Sequence, residues 1–191
     1  MQRISLVNVA QNLIRGVLHP GAKVIDATVG NGHDALFLAE QIGPSGRVYG
    51  FDIQQAAIDS TREKFQQAHI PECLTLIHAS HADMDERVPP QHHGTISVIM
   101  FNLGYLPGGD KSIITRTDST LQALNSASRL LTTEGLITIL AYPGHDGGDT
   151  ETDRVKNWCE QLNPDQFNVR TIYSTEYKES APRLFVVSKM R

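Results

Sequence analysis

Residues 24–34, Val-Ile-Asp-Ala-Thr-Val-Gly-Asn-Gly-His-Asp, constrain the fold more than any other stretch of this chain. An apolar run ends in an acid, Asp26, turns through Gly30 and Gly32, and enters a segment of helical spacing. A second short apolar run, Val48-Tyr-Gly-Phe-Asp52, ends in another acid 22 residues after Gly30. This is how a doubly wound α/β domain holds an adenosine-containing cofactor at the carboxyl ends of its parallel strands. The offset matches the ~20 residues of nucleotide-binding βαβ units. The glycines let the backbone turn sharply and approach a ligand with no Cβ in the way. Asp52 stands where a carboxylate can accept hydrogen bonds from both ribose hydroxyls.

Gly30-x-Gly32-x-x-Ala35 also fits the loose dinucleotide pattern G-x-G-x-x-G/A, and a purely structural glycine turn is a third reading. Three features favour S-adenosylmethionine (SAM). Asp26 can receive the charged amino group of a methionine moiety, a cation that a dinucleotide lacks. Asp34 opens the next helix, where its charge suits the helix dipole but would repel a pyrophosphate. Thr28 and Asn31 supply short polar side chains for a carboxylate and an amine.

The 191 residues suit a single α/β domain spanning 1–191. Hydrophobic residues make up 40% and charged residues 20%, enough for a full core in a soluble globule. No apolar run approaches the ~20 residues of a membrane helix, and the N-terminus lacks a signal-like basic and apolar region. Cys73 and Cys159 have no ligand-like spacing and read as reduced, buried or incidental thiols of a cytoplasmic protein. The net charge of −4 gives no broad attraction to nucleic acid, so an RNA substrate would need a local basic patch.

Periodicity predicts a helix over 4–18, a strand to Asp26, a helix over 33–41, a turn at 43–46 and a strand ending at Asp52. A helix over 54–68, strands over 74–77 and 96–101, a helix over 115–131 and a strand over 135–141 follow. A helix over 151–162 and strands over 167–173 and 184–189 complete the chain. The alternation predicts a seven-strand, Rossmann-like, mostly parallel sheet with helices on both faces and an antiparallel edge strand.

Other strand ends carry candidate chemistry. Phe101-Asn-Leu-Gly-Tyr-Leu-Pro-Gly-Gly-Asp110 follows the fourth strand, beside the switch point where ligands collect. An amine methyltransferase needs oxygens that hold the hydrogens of the reacting nitrogen while its lone pair faces the methyl group. Asn102 Oδ1 and the Leu103 carbonyl are the natural acceptors, and Tyr105 can flank a planar base. The bland alternative is a Gly/Pro turn that Asn102 caps. Ala141-Tyr-Pro-Gly-His-Asp-Gly-Gly148 follows the fifth strand, and its His145 can accept a proton or position a base, or be a solvated residue. In His78-Ala-Ser-His-Ala82, Ser80 can bond an adenine amine and His81 can stack on or edge the ring, or both belong to an ordinary polar strand end. Lys111 and Arg116 can meet phosphates or solvent. Glu151 complements a helix dipole. His92-His93 reads as a pair of solvated loop histidines, with no partner at metal-ligand spacing.

Residues 26–34, Gly50-Phe-Asp-Ile-Gln54, His78-Ala-Ser-His81, Phe101 to Lys111 and Tyr142 to Gly148 together resemble the bacterial YtqB-type family of rRNA methylase-like proteins, associated with SAM-dependent methylation of 5-aminomethyl-2-thiouridine at the tRNA wobble position (the MnmM activity). The resemblance spans almost the whole chain, and its most specific string is Asn-Leu-Gly-Tyr-Leu-Pro-Gly-Gly-Asp. It implies the seven-strand methyltransferase fold, often as a homodimer. SAM would lie on the 26–34 motif, His33 included, and on Asp52 and Gln54. Asn102, Gly104 and Tyr105 would belong to the cofactor and target pocket, with His145 nearby, and Ser180-Ala-Pro-Arg-Leu184 would form a wall. The implied partner is a tRNA anticodon stem-loop, whose unpaired wobble base can be splayed into a pocket. The implied reaction is in-line attack of the neutral substrate amine on the sulfonium methyl, with acceleration coming mostly from positioning. Tyr105, His145 or water would take the proton. Methylation of rRNA, methylation of a small amine, a nucleotide-dependent oxidoreductase and a non-catalytic nucleotide or SAM sensor are the alternatives.

Overall fold

The structure, a computed structural model, describes residues 5–104, 106, 108, 114–144, 147–174 and 181–191. In chain order it contains α1 (Leu6–Arg15), β1 (Lys23–Asp26), α2 (His33–Ile42), β2 (Arg47–Asp52), α3 (Gln55–Gln67) and β3 (Leu74–His78). These are followed by α4 (Met84–Arg87), β4 (Ile96–Asn102), α5 (Thr117–Leu130), β5 (Leu131–Ala141), α6 (Gly148–Gln161), β6 (Phe167–Tyr173) and β7 (Arg183–Lys189). One seven-stranded sheet runs β3-β2-β1-β4-β5-β7-β6.

Strands β1 to β5 pair in parallel, and β7 is antiparallel to both β5 and β6. The antiparallel strand is therefore one place in from the edge, and β6 occupies the edge itself. The edge pairing is antiparallel, as expected, and burial explains the order of the last two strands. Residues 183–187 of β7 are all buried, as an interior strand requires, whereas β6 alternates between exposed and half-buried positions and tolerates an edge.

Strand residues alternate between two apolar layers. Ile25, Phe51, Ile99 and Ile139 face one layer, which α5 and α6 complete with Leu124, Leu130, Val155 and Trp158. Val24, Val48, Val98 and Leu140 face the other, completed by Ala10 and Ile14 of α1, Leu38 of α2 and Phe65 of α3. A continuous apolar run such as Val24-Ile25 can thus be buried on both sides. Among the described residues, no helix is long and apolar enough to cross a membrane.

Local departures from periodicity have identifiable causes. The first helix is shorter than expected because the Ser5 hydroxyl accepts from the Asn8 N–H and starts it at Leu6. Helix α5 passes directly into β5 at Leu131. The β4–β5 register jumps between the Ile96–Leu131 and Val98–Leu136 pairs, and Glu134 sits at φ 63°. This irregularity hides the first residues of the strand from a period-two pattern. Helix α4 has four residues, too few to show a period.

Candidate functional site

Helix α2, which follows β1, packs on one face of the sheet, while α5, which follows β4, packs on the other. The neighbouring ends of β1 and β4 therefore diverge into a crevice, the topological switch point of the sheet. A cavity of about 760 Å³ lies there, within the size range of cofactor sites and with room for part of a second reactant.

The glycine turn forms its floor. Gly30 donates its N–H to Asp52 Oδ2 at 3.0 Å, and Asp52 Oδ1 accepts from the Gln54 N–H at 2.9 Å. The acid at the end of β2 thus clamps the turn after β1. Each carboxylate oxygen keeps a second lone pair for a ligand hydroxyl. Gly30, Asn31, His33, Asp52 and Gln54 line the cavity. Gly32 does not. At φ 74° it packs against α3, where an added Cβ would lie 2.8 Å from Thr61 Oγ1. Thr61 in turn donates that hydroxyl to the Gly30 carbonyl. The second glycine therefore serves a close helix contact that the motif alone does not show. The Thr28 hydroxyl accepts the Asn102 N–H at 2.8 Å and ties the ends of β1 and β4 together. His33 Nδ1 lies 3.4 Å from Lys64 Nζ and accepts from it, since an ammonium only donates.

The two acids of the 26–34 motif divide differently from expectation. Asp26 is 2% exposed and lies behind the cavity wall, with Oδ1 accepting the Thr28 N–H and Oδ2 lacking a hydrogen-bond partner among the described residues. Burial, and then the charge of Asp34, hold its carboxyl well above the usual range. Asp34 lines the cavity. Burial raises it too, against hydrogen bonds from Gln11 (3.3 Å) and Asn102 and the charge of His33. A pair of close carboxylates with an orphaned oxygen fits a cationic ligand group, as the α-ammonium of SAM would supply. Asp34 faces the cavity, and Asp26 lies buried behind it.

On the opposite wall, Ser80 gives its hydroxyl oxygen to the Ala82 N–H and starts a tight turn at His81–Asp83. His81 lies edge-on to Phe101 with ring centroids 5.9 Å apart. Its Nδ1 is 3.3 Å from the Ala27 carbonyl and must carry the proton, because a carbonyl only accepts. Nε2 is then a buried acceptor without a partner among the described residues, and burial lowers the ring's pKa to about 4. An acceptor fixed in this way suits an exocyclic amine. Ile53 is 54% exposed and lines the cavity beside Asp52. It is a flat apolar surface that sequence reading passed over, although an isoleucine directly after a strand-ending acid is a usable signal.

Asn102 ends β4 on the cavity wall. Its amide stands close enough to Asp34 to counter the upward shift of that carboxyl. Gly104, Thr115 and Arg116 continue this wall, and Tyr142, Pro143 and Pro182 close the far side. Tyr105, Lys111, His145 and Ser180 lie outside the described residues. Glu151 lies in the first turn of α6, where it complements the helix dipole as expected, and it does more. It is 3% exposed and accepts the hydroxyls of Thr115 and Thr120, each at 2.7 Å. His92, expected in solvent, is half-buried, with Nδ1 2.6 Å from the Tyr49 hydroxyl. Cys73 and Cys159 are buried and unpaired, and burial pushes the Cys159 thiol up to about 12.

Comparison with known proteins agrees with this geometry. Residues 48–188 match the family described as "Putative rRNA methylase". The chain is 42% identical over 162 residues to the Arabidopsis thaliana protein named tRNA (mnm(5)s(2)U34)-methyltransferase, chloroplastic, covering 81% of this chain and 58% of that one. A "putative rRNA-methylase" structure from Clostridium thermocellum superposes over 100% of both chains at 36% identity and a TM-score of 0.92. A "putative methyltransferase" from Streptococcus mutans, solved with S-adenosylhomocysteine (SAH), covers 99% of this chain and 100% of its own at 31% identity and a TM-score of 0.87. This chain therefore belongs to the putative rRNA methylase family, and its cavity is that of a SAM-dependent methyltransferase.

Proposed function

We propose that the protein methylates the amine of 5-aminomethyl-2-thiouridine at the wobble position of tRNA. The observation that carries this reading is the place of Asn102, whose amide stands exposed at the cavity wall beside Asp34. There its side-chain oxygen can hold an amine hydrogen. The name of the 42%-identical plant relative supports the choice of wobble base, although this chain spans only 58% of that protein's length. Arg116, exposed at the cavity wall, supplies the local cation that a chain of net charge −4 needs to meet a phosphate backbone. The same reading takes the anticodon stem-loop as the docking partner, a homodimer as the assembly and the cytoplasm as the compartment.

When bound, SAM supplies an electrophilic methyl group on a sulfonium. Asp34 and Asp26 hold its ammonium, Asp52 its ribose and His81 with Ile53 its adenine. Asn102 Oδ1 orients the acceptor amine, and Tyr105, His145 or water removes its proton. An alkylamine, like lysine with a pKa of ~10.4, is mostly protonated at neutral pH, so the pocket must take up the neutral form. Turnover should therefore rise with pH through the neutral range.

The test is transfer of a labelled methyl group from SAM to tRNA from cells lacking this protein, read by nucleoside mass spectrometry. Label on 5-aminomethyl-2-thiouridine is the expected result. SAM binding with no label in any tRNA would overturn the reading. Label in rRNA instead would establish the second reading, which the description of the family favours.

A further inference from the structure

We infer that Glu151 is a positioning residue for methyl transfer, acting through Thr115 on the backbone of Gly104 at the target side of the cavity. The inference rests on the wobble-base reading for its choice of acceptor, but its geometry stands independently of it. Gly104 and Thr115 are joined twice. The Thr115 N–H donates to the Gly104 carbonyl at 2.9 Å, and the Gly104 N–H donates to Thr115 Oγ1 at 2.9 Å. These bonds clasp the base of the segment that leaves Asn102 and returns to α5. The second bond needs the hydroxyl lone pair turned towards Gly104, so the hydroxyl hydrogen must point elsewhere. Glu151 Oε2 takes that hydrogen at 2.7 Å and fixes the rotor.

Glu151 makes further bonds that the relay to Gly104 does not run through. Its other oxygen accepts from Thr120 Oγ1 on α5, and its N–H bonds the Gly147 carbonyl at the start of α6. As an acid in the first turn of α6 it is also favoured by the helix dipole. The carboxylate therefore links the segment after β4 to the segment after β5, which form two walls of one cavity. Asn102 lies two residues before Gly104, so a loosened clasp moves the acceptor amide relative to the methyl donor. Misplacement by about 1 Å can cost on the order of 100-fold in rate. The cofactor contacts of Asp34, Asp52 and His81 lie elsewhere and should be spared.

Glu151→Gln tests the relay, because an amide can accept only one of the two hydroxyls. Thr115→Val removes the hydroxyl from the relay, and Thr120→Val removes only the other bond to Glu151. Methyl transfer to tRNA, SAM affinity by calorimetry and amide exchange at Gly104 are measured for each. The expected result for Glu151→Gln and Thr115→Val is a fall in kcat of roughly 10-fold or more, SAM affinity within about 3-fold of wild type, and faster Gly104 exchange. Thr115→Ser should restore both exchange and kcat. Thr120→Val should keep kcat and Gly104 exchange near wild type despite some loss of Tm. Unchanged Gly104 exchange in Glu151→Gln would overturn the inference. So would a parallel loss of SAM affinity and turnover, or equal loss of kcat in the two valine variants. If wild-type protein labels no tRNA, the wobble reading fails, while the exchange data still decide the clasp.

Discussion

Asp34 and Glu151 occupy equivalent places in the chain but opposite electrostatic states. Each sits in the first turn of a helix that follows a parallel strand, α2 after β1 and α6 after β5. Each is withdrawn from solvent beside the same cavity. Glu151 has a hydroxyl donor 2.7 Å from either oxygen and no carboxylate among its hydrogen-bond partners. Asp34 has one long bond from Gln11 and one from Asn102, stands beside the buried Asp26, and has its pKa raised by burial. The contrast separates two uses of a buried acid. Where the protein supplies the donors, the carboxylate builds structure. Where it supplies another carboxylate, the missing donor must come from a ligand, and a cation is the group that satisfies both.

The comparison predicts that damage at Glu151 appears first as lost stability. Glu151→Ala leaves the buried Thr120 hydroxyl and the half-buried Thr115 hydroxyl without their acceptor, which costs about 2 kcal/mol and lowers Tm by roughly 4–8 °C in a chain of this length. Calorimetry of the protein without cofactor checks this, and a change under 2 °C would contradict it. Asp34→Asn should act in the opposite sense, leaving Tm unchanged or raised but weakening SAM by roughly 10- to 100-fold through loss of a charge-assisted bond. If SAM affinity is unchanged, the ammonium is not held there. The glycines sharpen the same division. Gly32→Ala places a Cβ 2.8 Å from Thr61 Oγ1 at φ 74°, for a cost of about 2 kcal/mol. Its urea midpoint should fall while SAM affinity at low temperature stays within a few-fold. A selective loss of affinity would return Gly32 to the ligand.

How far these roles were legible depended on their range in the chain. Asp26, Gly30 and Asp52 announce themselves because strand ends, glycines and acids recur at a fixed local spacing, and the structure brings Gly30 and Asp52 to one crevice with Asp26 buried behind its wall. Gly32 matched the same pattern yet faces Thr61, because a motif gives the turn but not the direction in which its open side points. For Glu151 the sequence shows the dipole position but not the two hydroxyls it holds, because these partners are 31 and 36 residues away and meet it only once α5 and α6 pack. The order of the last two strands was hidden for a similar reason. Sequence gives two consecutive strands, whereas burial on both faces of β7 decides which of them goes inside.

The smallest expected effect tests whether Asp26 is kept for the ligand at a cost to the empty protein. Its folded carboxyl lies well above the ordinary carboxylate range, chiefly through burial and secondly through Asp34. Between the unfolded pKa and this higher folded value the native state binds more protons than the unfolded chain, so stability falls as pH rises through that window. Asp26→Asn mimics the protonated form, can keep the bond from the Thr28 N–H and removes the penalty. Without cofactor, the variant should be more stable than wild type at neutral pH, and the gain should vanish below the unfolded pKa. With cofactor the order reverses. Wild-type affinity for SAM should increase as pH rises through the titration of the pair, because only the ionised acids attract an ammonium, and the variant should bind several-fold more weakly with a flatter pH profile. Melting curves across pH, paired with calorimetric SAM titrations at two pH values, measure both halves. A variant less stable than wild type at neutral pH would mean that the orphaned Oδ2 has a donor within the fold, and the ammonium would then rest on Asp34 alone.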